Sequence, residues 1–220
     1  MRELTIAMPK GRLFNSVVKL LHAAGYLDRT LEEDSRKLIL CDNQSGLRFI
    51  LAKPTDVPTY VEYGAADLGV VGKDVLREEN KDVCELLDLG LGYCRLVVAV
   101  KENSPLVDVT QLPFNSRIAT KYPRITGEYF LSRGLQVDLI KLHGSIELAP
   151  IVGLAEAIVD ITSSGQTLRE NGLRVLAEVE ECTARLIANP VSYKIEHQRI
   201  SELVRAMRRV VLSEQGGNKV

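Results

Sequence analysis

RLVVAVKENSPLVDVTQLPFN, residues 95–115, is where the chain changes course. Arg95 to Val100 is a continuous apolar run with the pattern of a buried strand. Lys101 to Asn115 is polar and carries Pro105 and Pro113, residues that interrupt both helix and strand. A strand that empties into such a stretch marks a crossing between domains. On both sides of it, short apolar runs alternate with amphipathic segments. Upstream, Leu4 to Met8 reads as a strand, and Lys10 to Ala24 repeats Leu13, Phe14, Val17, Val18, Leu21 and Ala24 at helical spacing until Gly25. Leu38 to Cys41 and Leu47 to Ala52 flank the turn-rich Asp42-Asn43-Gln44-Ser45-Gly46, which predicts a hairpin. A helix over Asp56 to Tyr63, a strand over Leu68 to Val71 and a helix over Lys73 to Glu79 follow.

Downstream the series repeats: a strand at Ile118 to Thr120, a helix around Gly127 to Ser132, a strand at Val137 to Leu142, a helix at Ile146 to Leu154 and a strand at Ala157 to Ile161. Strands at Val175 to Glu178 and Leu186 to Ala188 precede a final amphipathic helix from about Ser192 to Leu212. Alternating strands and helices predict an α/β fold with largely parallel sheets. Two series with a late strand and helix left over predict two lobes, residues 1–94 with 183–220 and residues 95–182, the C-terminal segment returning to the first.

Composition supports this. With 220 residues, 45% of them apolar, the chain can bury roughly 70% of its unfolded surface, enough for one large core or two modest ones. Lys and Arg total 28 against 29 Asp and Glu, and the absence of a basic excess argues against a nucleic-acid partner. Cys41, Cys84, Cys94 and Cys182 are scattered without a C-x-x-C pair, so buried free thiols in a reducing compartment are expected. No apolar run approaches the roughly 20 residues that span a bilayer. The N-terminus, with Glu3 and Lys10 around a short apolar core, is unlike a signal peptide. The expected location is the cytoplasm, with no membrane partner.

In open α/β sheets the loops after strands carry the chemistry. The most informative is Asp160-Ile161-Thr162-Ser163-Ser164-Gly165-Gln166-Thr167, which follows an apolar strand and precedes a short helical run ending at Gly172. Amides at such a turn point one way, a helix N-terminus favours an anion, and Gly165 lets the backbone come close. Hydroxyls of Thr162, Ser163, Ser164 and Thr167 add donors, and Asp160 is placed to accept from sugar hydroxyls. A terminal phosphate fits this cup, although a simple capped helix explains the same residues. Pro9-Lys10-Gly11-Arg12 also joins strand to helix. Two cations at a helix N-terminus oppose its dipole unless an anion is near; a solvated basic pair is the alternative. Gly90-x-Gly92 lacks the third glycine of a dinucleotide fingerprint, and Gly72-Lys73-Asp74 lacks the flanking residues of a P-loop. His22, His143 and His197 lie far apart without a nucleophile-elbow signature, and Asp74 and Glu147 suit helix starts. The residues alone describe a small-anion-binding α/β protein and do not name a reaction.

Five ordered segments carry a resemblance: AMPKGRL from Ala7; SRKLI at Ser35 to Ile39; TDVPTYVEYGAADLGVVGKDVL at Thr55 to Leu76; RIATKYPRIT at Arg117 to Thr126; and IKLHGSIELAPIVGLAEAIVDITSSGQTLRENGL at Ile140 to Leu173. Together they resemble the ATP phosphoribosyltransferases, first enzymes of histidine biosynthesis. In length the chain is similar to the short form, which lacks a C-terminal histidine-binding domain and acts, as homodimers within a hetero-octamer, with a regulatory subunit resembling histidyl-tRNA synthetase. The resemblance implies two lobes like those of type II periplasmic binding proteins. It also implies attack by N1 of ATP on the anomeric carbon of phosphoribosyl pyrophosphate, with Mg²⁺ on the phosphates. By motif, Asp160, Thr162, Ser163, Ser164, Gly165, Gln166 and Thr167 would hold the ribose 5′-phosphate, with Glu147 near the sugar. Lys10, Gly11, Arg12, Asp74, Lys121 and Tyr122 would serve ATP and its phosphates. Lys53 would stabilise the leaving group, and Arg36 would reach a phosphate across a subunit contact. The chain departs from the family in having Lys53 where Arg is common, and Thr162 and Gln166 where Val and Arg are commoner. The rival class is a non-catalytic anion-binding protein of the same fold, which would need an export signal or a DNA-binding helix-turn-helix.

Overall fold

Strand β1 (Leu4–Pro9) sends Leu4, Ile6 and Met8 into one apolar layer and Ala7 into another, as the two-residue strand period requires. The computed structural model containing it describes residues 2–27, 37–42 and 44–217. Helix α1 (Arg12–Ala23) lays Phe14, Val17, Leu20 and Leu21 on the first of those layers. Strands β2 (Ile39–Asp42) and β3 (Leu47–Ala52) form the expected antiparallel hairpin. After them come helix α2 (Val57–Glu62), strand β4 (Leu68–Gly72), helix α3 (Lys73–Glu79) and strand β5 (Cys84–Asp88). The second series comprises strands β6 (Cys94–Lys101) and β7 (Ser116–Thr120), helix α4 (Pro123–Leu131), strand β8 (Val137–Lys141), helix α5 (Leu148–Ile151), strand β9 (Ala157–Thr162), helix α6 (Gln166–Glu170) and strand β10 (Leu173–Cys182). Strand β11 (Ala184–Ala188) and helices α7 (Pro190–Ile195) and α8 (His197–Gly217) complete the chain.

The elements fall into two units, Met1–Gly92 with Thr183–Val220, and Tyr93–Cys182. The first unit has the sheet order β2-β3-β1-β4-β11-β5. Helices α1 and α8 cover one face, where Ile200, Leu203 and Met207 join the layer under Phe14. Helix α2 covers the other with Val57 and Val61. The second unit has the order β10-β6-β9-β7-β8. Ile125, Tyr129 and Phe130 of α4 pack on one side, and Ile146, Ala149 and Leu168 on the other.

Several expectations are corrected. Both sheets are mixed rather than largely parallel: β1 runs parallel to β3 and β4, but β11 opposes β4 and β5, and β6 opposes β9 and β10. The strands next to the crossings set these directions, because the chain re-enters the first sheet from the opposite end. Strand β5 escapes a sequence reading because it is an edge strand with exposed Glu85 and Asp88 and no clean alternation. Helix α5 is one turn within the expected Ile146–Leu154. The expected final helix is two, because the backbone at Glu196, φ −102° and ψ 25°, leaves helical geometry between them. Of the cysteines only Cys182 is buried; Cys41 is exposed and Cys84 and Cys94 are partly so.

Buried Asp67 fastens the first unit. Its carboxylate accepts from the Thr5 amide at 2.9 Å, the Ser192 hydroxyl at 2.7 Å and the Arg2 guanidinium at 2.6 Å. Three distant stretches of sequence thereby share one side chain. Among the described residues no helix is long and apolar enough to cross a membrane.

Candidate functional site

Strands β7, β8 and β9 of the second unit run parallel, so their carboxyl ends share one edge of the sheet. Thr120 pairs with Val159 in the ladder, which sets Lys121 against Asp160 one position on. The Lys121 ammonium donates to Asp160 Oδ2 at 3.3 Å, and the Ile161 amide donates to Oδ1 at 2.8 Å. Asp160 is only 6% exposed. Burial raises its carboxyl above the ordinary carboxylate range, Lys121 and the Ile161 amide pull it back only in part, and the negative charge of Glu147 adds to the rise. Glu147 stands at the start of α5, beyond β8. Fully buried Thr120 braces the corner: its hydroxyl accepts from the Tyr122 amide at 2.9 Å and from the Thr126 hydroxyl at 3.1 Å. The Tyr122 ring packs into the core. Lys121 is therefore the group this corner presents.

The loop after β9 is shaped by its own side chains. Gly165 has φ 72°, the left-handed region that a side chain disfavours, and its amide donates to Thr162 Oγ1 at 2.9 Å. A hydroxyl that accepts this bond keeps its own proton to give elsewhere. The Gln166 amide donates to Ser164 Oγ at 3.3 Å, and the Gln166 side chain is drawn along the helix to Glu170 at 2.7 Å. Ser163, Ser164 and Thr167 are exposed. Helix α6 spans five residues, so loop amides and hydroxyls matter more than a macrodipole. Arg169, which the sequence reading did not single out, donates to the Ser164 carbonyl at 3.1 Å and brings a guanidinium to the loop. Its only sequence signal is a position one turn after Gly165.

The first unit contributes a second set. Strands β1 and β3 are parallel with Pro9 opposite Ala52, so Lys10 and Lys53 leave neighbouring strands at matched positions, and the Lys10 amide donates to the Ala52 carbonyl at 3.2 Å. Both lysines are exposed, and neither ammonium has an ion pair among the described residues. Gly11 caps α1 at φ 93°, and Arg12 is the first residue of that helix. Asp74, in the first turn of α3, is buried and is not without a partner, and it lies so close to Gly72 that a Cβ there would collide with its carboxylate. Arg36 lies outside the described residues. The expected site residues thus form two groups: Lys10, Gly11, Arg12, Lys53 and Asp74 in the first unit, and Lys121, Tyr122, Glu147 and Asp160–Thr167 in the second. Among the described residues no three His, Cys, Asp or Glu side chains gather as a metal cage.

A family model described as ATP phosphoribosyltransferase matches residues 53–209. The ATP phosphoribosyltransferase of Caldanaerobacter subterraneus subsp. tengcongensis is 51% identical over 207 residues, which cover 94% of this chain and 97% of that protein. The one from Halalkalibacterium halodurans is 52% identical over 211 residues, covering 96% and 98%. Among solved structures, the ATP phosphoribosyl transferase (HisG:HisZ) complex from Thermotoga maritima matches with a TM-score of 0.80 at 33% identity, covering 96% of this chain and 99% of that one. The periplasmic aliphatic sulphonate binding protein SsuA from Escherichia coli matches with a TM-score of 0.65 at 15% identity, covering 100% and 76%. That second likeness is one of fold alone.

Proposed function

The chain belongs to the ATP phosphoribosyltransferase family, and from that premise we propose that it transfers the phosphoribosyl group of phosphoribosyl pyrophosphate to N1 of ATP, the first step of histidine biosynthesis. A bond forms between N1 of the adenine and the anomeric carbon; the bond from that carbon to pyrophosphate breaks. The protein has two polyanions to bring together, a cationic sugar centre to tolerate and a diphosphate to release. Positioning and fixed charge therefore carry the rate.

The observation that carries this reading is the second unit's edge, where Asp160, Lys121 and Glu147 stand beside the Thr162–Gly165 turn. Asp160 accepts from the ribose hydroxyls, and Lys121 offsets part of the burial that disfavours its charged form. The turn amides and the hydroxyls of Thr162, Ser163, Ser164 and Thr167 hold the 5′-phosphate. Glu147 lies on the sugar side. In the first unit Lys10, Arg12 and Lys53 serve the substrate phosphates, with Lys53 on the departing diphosphate as a compact point charge in place of a planar guanidinium. Inward-held Asp74 supports the start of α3 beside them. Magnesium would enter as part of the substrate, carried on diphosphate oxygens with few protein ligands, as is common for this ion.

The Thermotoga maritima structure is a HisG:HisZ complex, and we infer that this chain likewise works with a regulatory subunit resembling histidyl-tRNA synthetase. Homodimers within a hetero-octamer and a cytoplasmic location are the assembly and compartment that go with this reading. A non-catalytic anion-binding role rests on fold likeness at 15% identity, against 51% and 52% to named transferases. The test is pyrophosphate release from phosphoribosyl pyrophosphate, ATP and Mg²⁺, with and without the synthetase-like subunit. Release that requires both substrates is expected; binding of phosphoribosyl pyrophosphate with no release in either condition overturns the assignment.

A further inference from the structure

We propose that Cys94 and Cys182 are a redox pair, a dithiol that closes reversibly to an intrachain disulfide beside the two points where the chain crosses between its units. Cys94 opens β6 and Cys182 closes β10, and the antiparallel register sets them directly opposite each other. Opposed residues in such a ladder share one face, with Cα atoms about 4.5 or 5.5 Å apart according to the pair type. Both separations lie inside the roughly 4.4–6.8 Å that a disulfide spans without backbone movement. Pairing is continuous from the cysteines through Glu181 with Arg95 and Glu180 with Leu96 before the first bulge. A bond from the Tyr93 hydroxyl to Glu181 at 2.6 Å and one from Arg95 to Glu178 at 3.1 Å tie the same two strands together. The facing positions are therefore a built feature of the ladder.

The structure holds both residues as thiols, Cys94 partly exposed and Cys182 only 1% exposed. That asymmetry orders the chemistry. The Cys94 thiolate attacks one sulfur of a low-molecular-weight disulfide RS–SR, giving a mixed disulfide and releasing RS⁻. The Cys182 thiolate then attacks the Cys94 sulfur and releases the second RS⁻. Two cysteine thiols lose two electrons and two protons, and RS–SR becomes two RSH; excess thiol reverses both steps. The chain leaves the first unit between Gly92 and Tyr93 and returns between Cys182 and Thr183. The new bond would hold the two crossing segments at one fixed separation. Cys41 and Cys84 supply internal controls, because β2 and β5 are opposite edges of the six-stranded sheet and cannot bring them together.

The test is incubation of the full chain with oxidised glutathione, followed by thiol counting, alkylation and non-reducing peptide mapping. Titratable thiols should fall from the four present to two, with the Cys94 and Cys182 peptides joined and the protein lighter by two hydrogen atoms. The melting temperature should rise, since the cross-link restricts the unfolded chain, and dithiothreitol should reverse all of these changes. Cys94→Ser should abolish the bridge; Cys41→Ser with Cys84→Ser should leave it intact. Cys94→Ser, at the more exposed partner, decides the matter should Cys182→Ser not fold. Four thiols persisting in oxidised glutathione, a mixed disulfide at Cys94 that does not resolve, a bridge to Cys41 or Cys84, or one formed only after denaturation would each overturn the proposal.

Discussion

Burial holds the Asp160 carboxyl above its ordinary range despite the Lys121 ammonium at 3.3 Å. The folded state therefore binds this proton more tightly than the unfolded chain does, so the contribution is favourable at low pH and is lost as pH rises from the unfolded value through the raised folded one. Asp160→Asn should melt at a higher temperature than the parent at neutral pH, and the difference should vanish in acid; a lower melting point at neutral pH would show that the Lys121 bond outweighs burial. The same variant should bind phosphoribosyl pyrophosphate more weakly, because an amide is a poorer acceptor for sugar hydroxyls. At Gly165 the backbone has φ 72° and a Cβ would sit 3.0 Å from the Arg169 guanidinium. A β-branched residue there costs about 1–2 kcal/mol of backbone strain, relieved by moving the loop. Calorimetry on Gly165→Val should show binding weaker by about tenfold or more with the circular dichroism spectrum unchanged. Lys53→Ala should lower kcat by about 10²–10³-fold if its charge acts on the leaving diphosphate as one oxyanion donor does. Steady-state kinetics showing a raised KM with kcat intact would assign Lys53 to ground-state binding instead, and Lys53→Arg should remain active.

At the level of elements, caps and register place the groups that matter. Helix α7 begins at Asn189, whose Oδ1 accepts from the Val191 and Ser192 amides at 3.0 and 2.9 Å. Its Nδ2 donates to the Val61 and Glu62 carbonyls at 3.0 and 3.1 Å, so one buried amide starts α7 and finishes α2. Asn189→Ala should cost about 2–3 kcal/mol, a lost cap plus the loss of the amide donor to the Glu62 carbonyl, while the Val61 carbonyl keeps its bond from the Gly64 amide at 3.0 Å. Urea unfolding should show the loss as a lower midpoint at constant slope; a change below about 1 kcal/mol would mean that water replaces the amide. The Thr162–Gly165 turn is legible in sequence because its bonds are local, Gly165 to Thr162 and Gln166 to Ser164. Strand β5 is not: Glu85 pairs with Lys73 at 2.5 Å, and a charged edge strand has no apolar period to read.

For the molecule as a whole, the proposed partnership with a synthetase-like subunit predicts that histidine acts through a coupling free energy between that subunit and the proposed substrate site. The isolated protein should neither bind histidine nor be inhibited by it, and both properties should appear when the synthetase-like subunit is added. Saturable histidine titration of the isolated chain with matching inhibition would contradict this. The sequence by itself determined the alternation of strands and helices, the two series around residues 95–115, and the hydroxyl-rich turn at Thr162–Gly165, because apolar period and turn chemistry act over a few residues. Tertiary structure decided which strands run against one another, that Lys121 meets Asp160 across 39 positions, that Asp67 ties Thr5 to Ser192, and that Cys94 faces Cys182. Those are properties of ladder register and of where the chain re-enters a sheet. Both are set by pairings between distant residues, which no local period encodes.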